Sequence, residues 1–224
     1  LTNTETQPAK AVPLTSEVLG YMRDQLPPFT EVQQELMDAT LALGSVAEMQ
    51  VPPEQGALLT LLARLIGARV AVEVGTFTGY STLALAEGVG RDGKVITLDI
   101  TDRWLDIASN AWTKAGVADR VEPVVGPAAE SIEKLPEEPF IDLVFIDADK
   151  VGYLGYWEAL VPRVKPNGLI AVDNVLYAGE AASADAEGNA RAIREFNEHV
   201  LRDDRVESVM LTVADGLTLA RKKN

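Results

Sequence analysis

Two acidic strand tips carry the chemistry this chain could perform. In "IDLVFIDADK" (residues 141–150) the apolar run Leu143 to Ile146 stops abruptly at Asp147, Ala148, Asp149 and Lys150. In "GLIAVDNVLY" (168–177) the run Leu169 to Val172 stops at Asp173 and Asn174. Such short unbroken apolar runs read as strands buried on both faces. Neighbouring parallel strands put their C-terminal tips on one edge of the sheet, where ligands bind. Asp147, Asp173 and Asn174 would then converge as three oxygen donors with no sulfur or imidazole. That donor set suits a hard divalent cation, Mg²⁺ foremost, with Ca²⁺ or Mn²⁺ also admissible. Lys150 is either a proton acceptor beside that cation or an exposed lysine after a turn. Asp149 reads best as the cap of the following helix.

A second constellation precedes these tips. "VAVEVGTFTGYSTLALAEG" (70–88) is a strand, a glycine turn and a helix. Gly75 and Gly79 let the backbone turn tightly and approach a ligand, and the helix start offers free N–H groups to an anion such as an amino-acid carboxylate. Ser81 adds a hydroxyl donor. The next strand ends at Asp99 in "VITLDI", the place where a ribose diol is gripped in nucleotide folds. The G-x-x-x-G spacing is not the G-x-G-x-x-G of pyrophosphate loops, so a nucleoside without a pyrophosphate is favoured over a dinucleotide. The plain alternative is a strand–helix turn followed by an exposed aspartate. Glu73, an acid within an apolar strand, needs a partner if buried. It would accept from a ligand amine or from neighbouring backbone.

Composition removes several other chemistries. The chain has 224 residues, 47 % hydrophobic, enough for one α/β domain with a substantial core. There is no cysteine, which excludes disulfides, thiolate metal sites and a cysteine nucleophile and suits a cytoplasmic setting. One histidine, His199, rules out zinc sites built on several imidazoles. His199 lies off the apolar stripe of its helix and is expected to face solvent. A net charge of −14 disfavours nucleic-acid backbones, and no apolar stretch is long enough to span a bilayer. The start, "LTNTETQPAKAVP", is expected to be a frayed tail over residues 1–13, and a Leu at position 1 suggests a trimmed start.

The elements that must position these residues follow from punctuation and period. Residues 14–66 read as amino-terminal helices: one opened by Thr15 or Ser16 and stopped by Pro27 and Pro28, one running from Thr30 through "EVQQELMDATLALGSVAEM", and one opened by Pro52 and Pro53. Strands are then expected at 70–74, 95–98, 121–125, 143–146 and 169–172, alternating with helices at about 79–89, 101–115, 151–164 and 188–202. Asp215 and Gly216 mark a hairpin between "VESVMLTV" and "LTLARK". The expected fold is α/β: a Rossmann-like, doubly wound, mostly parallel seven-stranded sheet with an antiparallel last strand, in a single domain over 14–224. The aromatics Tyr153, Tyr156 and Trp157 read as core, although Tyr156 lies near enough to its helix start to face a ligand.

The ordered motifs "MQVPPEQGALLTLLARLIGARVAVEVGTFTGYSTLAL", "VITLDI", "GPA", "FIDADK" and "DNVLY" resemble those of the cation-dependent class I O-methyltransferases, the caffeoyl-CoA and catechol O-methyltransferases. The resemblance covers about residues 30–223. It implies S-adenosylmethionine as cofactor, a divalent cation, a catechol-type acceptor and a homodimer. It further implies that Met49 and Val51 line the methionine end and that Glu73, Gly75, Thr76 and Ser81 hold the amino-acid part. Asp99 would bind the ribose, Ala128 would border the adenine, and Asp147 would approach the cofactor amine. Asp147, Asp173 and Asn174 match the family's metal ligands, and Lys150 its general base. Tyr177 stands where a Trp often follows in this family, and "YAGEAASADAEGNA" falls in the substrate-side loop. The competing readings are a nicotinamide-dependent oxidoreductase, a non-catalytic nucleoside-cofactor-binding protein and a metal-independent methyltransferase.

Overall fold

The computed structural model describes residues 12–224, so the expected tail lies almost wholly outside the described residues. Three helices come first: α1 (Ser16–Asp24), α2 (Glu31–Leu41) and α3 (Pro53–Leu65). Thr15 caps α1, Thr30 and Gln33 close a capping box at α2, and Pro52 and Pro53 open α3. The second helix does not run on to Met49 as its apolar spacing suggested. It ends at Leu41, Gly44 adopts φ +79°, and a 3-10 turn (Gly44–Met49) follows. The left-handed glycine redirects the chain, and residues 45–52 then run along the wall of the main cavity.

The remainder alternates: β1 (Val70–Val74), α4 (Tyr80–Gly88), β2 (Lys94–Asp99), α5 (Leu105–Lys114), β3 (Val121–Val125), α6 (Ala128–Glu133), β4 (Ile141–Ile146), α7 (Tyr153–Leu160), β5 (Val164–Val172), α8 (Gly188–Arg202), β6 (Val206–Leu211) and β7 (Leu217–Lys222). Helix α6 is too short for a periodic signal and was not anticipated. The seven strands form one sheet in the order β3-β2-β1-β4-β5-β7-β6. All neighbours pair in parallel except β7, which is antiparallel to both β5 and β6. This is the expected doubly wound sheet with one reversed strand.

Strand alternation distributes the core over two layers. Val72, Val74, Val144, Ile146, Ile170 and Val172 face α6, α7 and α8, where Trp157 and Phe196 are fully buried or nearly so. Ala71, Leu143, Phe145 and Ala171 face α2 to α5, against Leu36, Leu59, Leu85 and Trp112. Both faces are therefore covered, and only the strand ends remain for ligands. Among the described residues no helix is long and apolar enough to cross a membrane.

The carboxyl tips are tied to one another. Gly75 N donates to Leu98 O, Asp147 N to Val74 O, Asp173 N to Ile146 O, and Gly126 N to Asp99 O. Each bond continues the parallel ladder one residue beyond the strand. The residues at the tips of β3, β2, β1, β4 and β5 are thereby held in a row.

Candidate active site

A cavity of about 1300 Å³ runs along this row of tips. Strand order fixes the order of its walls. Pro127 and Ala128 follow β3, Asp99 to Trp104 follow β2, and the glycine loop follows β1. Asp147 to Lys150 follow β4, Asp173, Asn174 and Tyr177 follow β5, and Ala214 and Asp215 precede β7. Met49, Val51, Gly75, Thr76, Ser81, Asp99, Ala128, Asp147, Lys150, Tyr156, Asp173 and Asn174 all line it.

The glycine loop is built around a close approach. A Cβ on Gly75 would sit 1.8 Å from the carbonyl oxygen of Asp147, and Gly75 has φ +103°. Gly79, the residue before α4, has φ +82° and packs on Ala108 and Trp112. Between them Phe77 takes φ 49°, an uncommon conformation for a bulky residue. The loop is anchored by Asp99, whose Oδ2 accepts from Thr76 N at 3.0 Å and Phe77 N at 2.9 Å, while its Oδ1 accepts from Thr101 N at 3.1 Å. Asp99 thus shapes the loop as well as bordering the cavity. Spacing placed Asp99 at the strand tip but gave no sign of these bonds to the loop. Phe77 and Trp104, edge to face with centroids 4.8 Å apart, add an aromatic corner that the sequence reading passed over.

Glu73 does not line the cavity. It is fully buried on the α4 side of the sheet, and its Oε2 accepts from the hydroxyls of Thr82 and Thr97. Its Oε1 has no partner. Burial pushes its carboxyl up to about 7, against the hydroxyls of Ser81, Thr82 and Thr97 that favour the charged form. Ser81 lies at the cavity wall, so Glu73 stands behind it. The structure shows Glu73 bracing the β1–α4 corner, with one free acceptor beneath the floor.

The opposite half holds the acidic tips. Lys150 Nζ donates to Asn174 Oδ1 at 2.6 Å, to Tyr153 Oη at 2.6 Å and to Asp147 Oδ1 at 3.2 Å. Asp147 and Asn174 are thus brought to one point from two strands, and Lys150 lies between them. Asn174 adopts φ 54°, which Asn tolerates, and Asp173 Oδ1 accepts its N–H at 2.7 Å. Burial and then the nearby Asp147 push the Asp173 carboxyl up to about 7, and burial also raises Asp147 despite Lys150. Tyr153 is raised well above its usual value, first by burial and then by the two aspartates. The α3 residue Gln55, fully buried, lies close enough to Asp173 to favour its charged form, yet its amide completes no hydrogen bond. Tyr153 reads as core in the sequence and Gln55 carries no signal there; packing brings both to the acids.

Asp149 caps the 3-10 turn (Lys150–Gly152) that leads into α7, its Oδ2 accepting from Gly152 N at 3.0 Å. It also lines the cavity and accepts from Tyr156 Oη, which fixes that ring at the wall. His199 is not simply solvent-facing: its Nε2 lies 2.6 Å from Glu158 Oε1. Glu158, His199 and Asp203 cluster on the outer surface, but Arg205 already pairs with both acids.

Two measurements test this geometry. Gly75→Ala should destabilise the protein by at least about 2 kcal/mol and weaken nucleoside-cofactor binding, because the Asp147 carbonyl must move; denaturant unfolding and calorimetry check it. Glu73→Gln tests the buried acid. Its folded-state value lies above its unfolded one, so the folded protein binds the extra proton between about 4.5 and 7 and loses stability as pH rises through that window. The wild type should therefore lose more melting temperature between pH 5 and pH 8 than Glu73→Gln does.

Known proteins similar to this chain are O-methyltransferases. A family model described as O-methyltransferase matches residues 28–223. "Probable caffeoyl-CoA O-methyltransferase 1" of Dictyostelium discoideum is 36 % identical over 226 residues, covering 99 % of this chain and 98 % of that protein. Caffeoyl-CoA O-methyltransferase 1 of Eucalyptus globulus is 36 % identical over 184 residues, 78 % of this chain and 75 % of its own length. The crystal structure of an O-methyltransferase from Bacillus cereus in complex with SAH superposes with a TM-score of 0.84 at 34 % identity, covering 92 % of this chain and 97 % of that one. With the family model spanning nearly all of the described residues and the strand-tip cavity in place, this chain belongs to the O-methyltransferase family.

Proposed function

We propose that the protein transfers a methyl group from S-adenosylmethionine to a hydroxyl of a catechol-type small molecule, with a divalent cation held by Asp147, Asp173 and Asn174. The observation that carries this reading is the ammonium of Lys150 bridging Asp147 and Asn174. It marks a point where oxygen donors from two strand tips converge on positive charge. The donor set fits a hard cation: it is all oxygen, and Asp147 and Asp173 are both pushed upward by burial, which a further positive charge would relieve. Similarity to proteins solved with SAH or SAM supports the cofactor.

When bound, the cofactor supplies the electrophilic methyl group and the cation supplies charge that favours an ionised phenol, ordinarily protonated at neutral pH with a pKa of about 10. The protein does the rest. Asp99 and the aromatic corner sit at the nucleoside end, and the loop from Gly75 to Ser81 offers backbone and hydroxyl donors to the amino-acid end. Lys150, in its neutral form, takes the acceptor's proton at Nζ, held in place by Tyr153 and Asn174. Fixed placement of the acceptor oxygen in line with the methyl group supplies much of the acceleration.

The reading is tested by transfer of labelled methyl to catechol with Mg²⁺ and with EDTA. Loss with EDTA and recovery with Mg²⁺ is expected; transfer indifferent to EDTA would discard the cation. In the same assay Lys150→Ala should lower kcat by about 10² or more while leaving cofactor affinity by calorimetry little changed. Unchanged turnover removes Lys150 as the base.

A homodimer is part of the proposal. Leu41, Leu61 and Leu65 expose apolar surface on or beside the amino-terminal helices, at 72 %, 53 % and 72 % of their full areas. Sedimentation should show a dimer at micromolar concentration, and a monomer there counts against it.

A further inference from the structure

The charge of the acceptor end separates this chain from the substrate that its relatives' names carry. On the methyl-transfer reading Asp99 takes the ribose, which puts the nucleoside end at β2 and β3; strand order then puts the acceptor end past Asp147 and Lys150, toward β5 and β7. The strand-tip residues there are acidic, Asp173 and Asp215, and Glu48 lines the same cavity from the segment that leads into α3, whose Gln55 faces Asp173. Among the described residues Lys150 is the one basic residue lining the cavity, and Asp147, Asn174 and Tyr153 engage its ammonium.

The surroundings continue the pattern. The loop between Tyr177 and α8 contains Glu180, Asp185 and Glu187 and no Lys or Arg. The basic residues closest to it in the chain, Arg191 and Arg194, do not line the cavity. Arg191 pairs with Glu195, and Arg194 with Glu198 and the carbonyls of residues 181–183. A coenzyme A thioester carries several phosphate charges and needs a basic counterpart along its length. Among the described residues, none besides Lys150 lines the cavity.

We infer that the acceptor is a small neutral or cationic catechol, and that Glu48 and Asp215, with the acidic loop, exclude coenzyme A thioesters. The inference rests on the methyl-transfer reading and narrows its substrate class. Glu48 is exposed and projects from a turn, while Asp215 is held by Ala178 N at its Oδ1. Both line the cavity and neither belongs to the hydrophobic core, so they act on a ligand through charge.

The test compares kcat/KM for catechol, dopamine and caffeoyl-CoA, using the full chain with S-adenosylmethionine and Mg²⁺. Catechol and dopamine should each exceed caffeoyl-CoA by about tenfold or more at low salt, and the gap should narrow as salt is added. Glu48→Lys with Asp215→Asn should raise the caffeoyl-CoA to catechol ratio about fivefold or more. Glu48→Lys alone should move it the same way, so a folding defect at Asp215 does not hide the answer. Caffeoyl-CoA as the preferred acceptor, or a ratio unmoved by both variants, overturns this inference and leaves methyl transfer standing. Transfer to none of the three overturns the methyl-transfer reading, and this inference with it.

Discussion

The site depends on the contact between Gly75 and the carbonyl of Asp147. A Cβ at position 75 would fall 1.8 Å from that oxygen. Its absence lets the tips of β1 and β4 close against each other and brings the glycine loop and the acidic tip to one cavity. Any side chain there must push the two strand ends apart or move the loop. The remaining tip-to-tip bonds, from Gly126 to Asp173, propagate the same register across the sheet. The row of functional side chains is a consequence of hydrogen-bond geometry in a parallel ladder.

That row concentrates negative charge. Glu73, Asp147 and Asp173 lie in or just behind the cavity floor, and each carboxyl is raised chiefly by burial. Lys150 is the cation among them. Desolvated acids of this kind are costly in the ligand-free protein and become favourable when positive charge arrives. A sulfonium, an amine and a divalent cation are all of that sign. The fold thus stores an electrostatic preference for the ligands it is proposed to bind, with strained backbone at Phe77 at the edge of the same site.

Much of this was legible along the chain. Unbroken apolar runs ending in acids located β4 and β5 and their tips, and alternation with helices predicted the doubly wound sheet. Asp215-Gly216 announced the one reversed strand, because only left-handed backbone closes that turn; Gly216 has φ +88°. Where the reading failed, local pattern had been overruled. The apolar spacing of α2 continued past Leu41, but Gly44 ended it. Helix α6 was too short to show a period.

The sequence by itself determined which residue types stand at which strand tips, because a buried strand must be apolar and its end is the first place where an acid is tolerated. It determined the oxygen-only donor set and the glycines that turn the loop. Only the tertiary structure decided what those residues do to one another. It placed Glu73 behind Ser81 rather than in the cavity, made Asp99 the anchor of the loop, and brought Tyr153 and Gln55 to the acids. The reason is that burial and pairing are properties of neighbours far apart in the chain. Glu73 and Thr97 are 24 residues apart, and Lys150 and Asn174 likewise 24. No local period encodes such a contact; the order of the strands does.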